Sequence, residues 1–123
     1  NDSKATNVGA TIAAINGLAD EPGRLLLIAR GNAKGADLSP LREPLAQYVD
    51  ELICLGKDGA AIAALKEGSH LVADMAEAVS LGKSLATPND IVLLAPACAS
   101  LDMYANYMVR GNEFAQHVKE GEL

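Results

Sequence analysis

Two lysines and two hydroxyl side chains, in three separate stretches of the sequence, could together bind a small anion. Lys4 and Thr6 stand near the start, Lys34 lies in a loop rich in small residues, and Ser100 lies in a late loop. Ammonium and hydroxyl groups donate hydrogen bonds that carboxylate and phosphate oxygens accept. The expected ligand is therefore a small acid, most simply one that bears carboxylates.

The first of these stretches, Asn1–Asn7, leads into a predicted helix with apolar residues at helical spacing from Val8 to Ala19. Thr6 and Asn7 are candidates to cap that helix. A helix start carries unpaired N–H groups and a partial positive charge, so it attracts anions. The simpler alternative, which the local pattern leaves open, is a plain cap beside a solvated Lys4.

Short apolar runs alternate with helical patterns along the rest of the chain. Each run is bounded by turn residues, as expected for a strand that is buried on both faces of a parallel sheet. The predicted strands are Arg24–Ala29, Leu52–Leu55, His70–Val72 and Ile91–Ala95, and the later helices are Leu41–Gln47, Asp58–Leu65, Asp74–Leu85 and Tyr107–Lys119. This order predicts an α/β fold: a three-layer, open, mostly parallel sheet with helices on both faces, Rossmann-like, in a single domain of residues 1–123.

The predicted topology selects where a ligand would bind. Right-handed crossovers between parallel strands place every strand-to-helix loop at one edge of the sheet. Ligands of such sheets bind outside the carboxyl ends of the strands. We therefore expect Asp2–Asn7, the loop with Lys34 and the loop with Ser100 to meet at that edge, although they are far apart in sequence.

Composition narrows the class of protein. The 123 residues are 50% hydrophobic and carry a net charge of −6, which supports one core and argues against nucleic acid or an anionic membrane surface as the main partner. No apolar run is long enough to span a membrane and no secretory signal is present, so the cytoplasm is the expected location. The polar start without an initiator Met leads us to expect a piece of a longer polypeptide.

Other residue patterns do not predict catalysis or metal binding. The glycines Gly31 and Gly35 lack the Lys-Ser/Thr ending of a nucleotide P-loop, and no Gly-x-Gly-x-x-Gly follows a strand. Cys54 and Cys98 are interpreted as free thiols, and an enzyme built on Cys98 is a weak alternative. The two histidines, His70 and His117, are interpreted as structural or solvated, and Arg30 with Asp37 as a surface pair.

Two longer motifs carry a resemblance to a known family. Asn1–Asn7 at the start, and Pro96–Asp102 together with Arg110–Phe114 at the end, resemble the carboxy-terminal domain of the bacterial Mur ligases. The resemblance runs along the whole chain in the same order. Within the family it favours the members that add D-glutamate to the peptidoglycan precursor, because sister ligases carry different motifs at the acceptor pocket.

The resemblance implies one domain of a three-domain, ATP-dependent, amide-forming ligase. An amino-terminal domain for the UDP-sugar and a central ATPase domain would lie outside this chain, and ATP and Mg²⁺ would be bound mainly there. The substrates implied are D-glutamate, ATP and UDP-N-acetylmuramoyl-L-alanine. We expect a monomer with no nucleic-acid or membrane partner, and no ligase activity from this domain alone. The alternative is a stand-alone α/β module that binds a small anion.

The resemblance also implies roles for particular residues. Thr6 and Lys34 would hold carboxylate oxygens of D-glutamate, while Ser100, with the backbone of Leu101 and Tyr107, would hold the other carboxylate; Asp2 and Lys4 would face the nucleotide and phosphate side of the closed cleft. No residue of this chain is implied as catalytic or metal-binding. The chain departs from the family pattern at Arg30-Gly31, where a Gly-Gly pair is usual, and at Tyr107, where Phe is common.

Overall fold

The computed structural model describes residues 2–30, 37–95 and 107–112, with the side chains of 2–7, 10 and 107–109 left aside. The helices are α1 (Asp2–Gly17), α2 (Arg42–Tyr48), α3 (Gly59–Ala63) and α4 (Met75–Leu85), and a short 3-10 turn, Ser39–Leu41, precedes α2. The strands are β1 (Leu25–Arg30), β2 (Glu51–Leu55), β3 (His70–Leu71), β4 (Ile91–Ala95) and β5 (Tyr107–Arg110).

The five strands form one sheet in the order β3-β2-β1-β4-β5. The first four are parallel: Leu27 of β1 stands opposite Leu52 on one side and Leu93 on the other. β5 pairs with β4 in the antiparallel direction. The predicted fold class, an open and mostly parallel sheet, is therefore confirmed.

Alternation along β1 divides the core into two clusters. Leu25, Leu27 and Ala29 pack in the cluster that α1, α2 and Ile62 of α3 cover. Leu26 and Ile28 pack in the cluster on the opposite face, which α4 covers. Helices thus lie on both faces, as the sequence predicts. The side chains of Leu25–Ala29 are apolar on both faces of β1, so each face must be covered by a helix.

Two predictions about local structure are wrong. α1 begins at Asp2, so Thr6 and Asn7 lie within its second turn and do not cap it. The start of the predicted last helix is β5, a strand from Tyr107 to Arg110. The reason is the free edge of β4, whose backbone groups need partners, and residues such as Tyr and Val suit a strand. Residues 113–119 of that predicted helix lie outside the described residues.

Two glycines allow backbone segments to meet at the amino edge of the sheet, where β1 and β4 begin and β5 ends. Gly23 has φ +96°, and a Cβ there would stand 2.1 Å from the carbonyl oxygen of Asn89. At Gly111 a Cβ would stand 1.9 Å from the carbonyl oxygen of Thr87. Both contacts are with backbone, which has little freedom to move away. Only glycine fits at these two positions.

We predict that Gly111→Ala destabilises the chain by about 1–3 kcal/mol or more, because the new methyl group would overlap the Thr87 carbonyl. The matched control is Gly9→Ala. Gly9 lies exposed within α1 with no atom near its would-be Cβ, so alanine there should stabilise by about 0.5–1 kcal/mol. Urea unfolding measures both changes. Equal effects of the two substitutions would contradict the close approach at Gly111.

An ion pair joins the starts of β1 and β4 at the same edge. Arg24 Nη2 donates to Asp90 Oδ2 at 2.9 Å, and its Nε donates to Oδ1 at 3.4 Å. Asp90 also accepts the backbone N–H of Thr87 at 2.8 Å. The same Arg24 Nη2 donates to the carbonyl oxygen of Leu85 at 2.9 Å, which ties the end of α4 to the sheet.

The environment of Asp90 lowers its pKa. Its side chain is only 3% exposed, and this burial alone would raise the pKa of the carboxyl. Hydrogen bonds from Arg24 and from the N–H and hydroxyl of Thr87, together with the Arg24 charge, outweigh burial and bring the pKa below its ordinary value. The Arg24 pKa is raised in turn, chiefly by its hydrogen bond to Asp90.

We predict that Asp90→Asn lowers the free energy of unfolding by about 1–3 kcal/mol near neutral pH, because a neutral amide loses the charge-assisted bonds. A carboxylate whose pKa is lowered by folding stabilises the fold above the unfolded pKa of about 4. That contribution is lost as the pH falls through the lower pKa of the folded state. Urea unfolding at several pH values should therefore show a constant gap above about pH 5 that closes in more acidic solution.

The control for this measurement is Asp20→Asn. Asp20 is exposed in the turn after α1, and its substitution should change stability by less than about 0.5 kcal/mol. A gap between wild type and Asp90→Asn that stays constant down to strongly acidic pH would contradict the role of the Asp90 charge.

Candidate functional site

The strand order places a topological switch point at the carboxyl edge of the sheet. From β1 the chain crosses over to β2 and β3 on one side, whereas β4 lies on the other side of β1. The carboxyl ends of β1 and β4 therefore lie side by side, with Ala29 opposite Ala95. This is the topological switch point at which open α/β sheets bind ligands.

Three described chain ends meet at this edge. β1 ends at Arg30, β4 ends at Ala95, and β5 begins at Tyr107 opposite Leu94. The two loops that the sequence analysis selects follow β1 and β4 along the chain. The described backbone thus brings Tyr107 to the edge where these loops start.

The predicted site residues are described to different extents. Asp2, Lys4 and Thr6 lie in the first two turns of α1, and Tyr107 is the first residue of β5. Lys34, Ser100 and Leu101 lie outside the described residues. α1 packs against the 3-10 turn Ser39–Leu41, which follows residues 31–36 along the chain. The turn at the amino edge connects the end of α1 to the start of β1. The meeting of these side chains around one ligand stays a prediction.

The chain resumes after residues 31–36 with a local hydrogen bond. Asp37 Oδ1 accepts the backbone N–H of Ser39 at 3.0 Å. Ser39 is the first residue of the 3-10 turn before α2. Hydrogen bonds from the Ser39 backbone and side chain lower the pKa of the Asp37 carboxyl. The ion pair between Arg30 and Asp37 that the sequence suggests is not among the contacts of the described residues.

The described part of the chain offers no reactive thiol or metal site. Cys54 is a buried free cysteine on β2, and desolvation raises the pKa of its thiol to about 12, so it stays protonated. Cys98 lies outside the described residues. No group of three His, Cys, Asp or Glu side chains within 2–30, 37–95 and 107–112 could hold a metal ion. Across the same ranges, no helix has the length and apolar character to cross a membrane.

Arg110 and Gly111, the first two residues of the Arg110–Phe114 motif, have a structural role that sequence reasoning missed. Arg110 Nη2 donates to Glu21 Oε1 and Nη1 donates to the carbonyl oxygen of Pro22, each at 3.1 Å. The N–H of Gly111 donates to the carbonyl oxygen of Asp90 at 2.7 Å. These bonds join the end of β5 to the turn before β1 and to the residue before β4 at the amino edge, which lies opposite the switch point. The Pro22-Gly23 turn and Gly111 were the only local signals of this approach.

His70 is structural, as the sequence suggests. Its Nε2 lies 3.2 Å from Glu51 Oε1, and Glu51 in turn lies 3.9 Å from Arg24 Nη1. The histidine therefore contacts Glu51 at the starts of the strands, away from the carboxyl edge. His117 lies outside the described residues.

A comparison with known protein families identifies the class of protein that has this fold. Residues 1–98 match the family model of the Mur ligase, glutamate ligase domain. The chain belongs to this family. The predicted resemblance is confirmed over most of the chain's length.

Three curated relatives of the chain share one name. The chain is 61% identical over 98% of its length to the UDP-N-acetylmuramoylalanine–D-glutamate ligase of Shewanella oneidensis. It is 60% identical over 96% of its length to the ligase of that name in Pseudoalteromonas translucida, and 52% identical over 97% to that of Pseudomonas aeruginosa. The chain covers 27%, 26% and 28% of these relatives, so it spans about a quarter of their length.

Proposed function

We propose that this chain is the acceptor-binding domain of an ATP-dependent ligase that joins D-glutamate to UDP-N-acetylmuramoyl-L-alanine. The observation that carries the proposal is the identity of 61% over nearly the whole chain to a ligase of that name. The switch point between β1 and β4 supports it, because that edge is where an α/β sheet binds a small ligand. The proposal places the chain in peptidoglycan synthesis, and hence in cell-wall formation, cell shape and cell division.

The reaction joins a carboxylate and an amine at the expense of ATP. The γ-phosphoryl group moves to the carboxylate of UDP-N-acetylmuramoyl-L-alanine and forms an acyl phosphate with release of ADP. The amine of D-glutamate attacks the acyl carbon, and the tetrahedral intermediate collapses to the amide with loss of phosphate. Activation is needed because an unmodified carboxylate is a poor electrophile toward an amine.

This domain's part in the reaction is to hold and orient the amine donor. Lys34 and Thr6 would bind one carboxylate of D-glutamate, and Ser100 with the backbone of Leu101 and Tyr107 would bind the other. Holding both carboxylates fixes where the amine lies, which is the positional advantage that enzymes supply to two-substrate reactions. Asp2 and Lys4 would face the phosphate side once the cleft closes.

ATP and Mg²⁺ would be bound mainly by the remainder of a longer protein. The sequence has no P-loop, and the described residues hold no cluster of metal ligands. A domain of this kind contributes by closing over the nucleotide. Cytoplasmic location and a monomeric state stay predictions.

We predict that Lys34→Ala in the full-length protein that contains this chain raises the KM for D-glutamate by about ten- to a hundredfold, the value of one lost charge-assisted hydrogen bond. The KM for ATP should change much less, because the nucleotide lies outside this contact. Steady-state kinetics with each substrate varied in turn separates the two constants.

The matched control for this experiment is Lys83→Ala. Lys83 lies in the last turn of α4, which ends at the amino edge, so its removal should leave both KM values unchanged. A rise of both constants together in Lys34→Ala would point to a distorted loop and would contradict the carboxylate contact.

We predict that the 123-residue chain alone neither hydrolyses ATP nor forms the amide. We also expect its D-glutamate binding to be too weak to measure, because few contacts must offset the entropy lost on association. Coupled ATPase assays and titration calorimetry test both expectations. ATP turnover by the pure chain, or micromolar D-glutamate affinity, would contradict the division of labour among domains.

A further inference from the structure

We draw no further inference here: the strongest candidate, the cavity at the amino edge of the sheet lined by Pro22, Gly23, Pro88, Asn89, Arg110 and Asn112, carries none, because nothing in the described part of the chain shows what covers it and the Arg110 guanidinium is already paired with Glu21.

Discussion

The rest of the structure depends on one constraint: β1 is buried on both faces and forms hydrogen bonds along both of its edges. From Leu25 to Ala29 every side chain of this strand is buried, and β2 and β4 pair with it on either side. No residue in the middle of such a strand can meet a ligand. Chemistry is therefore confined to its two ends, and the two ends have taken different roles.

The amino end is built for stability. Arg24 bonds to Asp90 and to the end of α4, Asp50 accepts the N–H of Leu25 at 2.8 Å, and Gly111 lies against Thr87. Each contact joins segments that are distant in sequence, and the hydrogen bonds among them satisfy polar groups. Such cross-links fix the relative positions of β1, β4 and β5. The carboxyl end, by contrast, has an exposed arginine, Arg30, as the last residue of β1.

The sequence predicts this architecture well where local pattern and tertiary environment agree. The apolar runs at 25–29 and 91–95 have no polar residue, so they fit only a buried strand or a buried helix, and the flanking turn residues favour the strand. The prediction fails at Tyr107–Arg110, where four residues fit either period and the deciding partner is the free edge of β4. The pairing of Arg24 with Asp90 spans 66 positions, so no local pattern reveals it. The carboxyl-edge location of the proposed site is inferred from topology, whereas the position of each side chain predicted to bind the ligand depends on loop conformation, which spacing does not determine.

An acidic chain can bind an acid because electrostatic effects act over short distances. The net charge is −6, yet the carboxylates of Glu21, Glu51 and Asp90 lie at the amino edge, and each has a cationic partner there. β1 has six residues, so roughly 20 Å of strand separates that edge from the carboxyl edge. At physiological salt the screening length is about 8 Å, less than half of this distance. These three carboxylates therefore have little effect on an acid at the carboxyl edge, whose binding depends on the charged groups close to that edge.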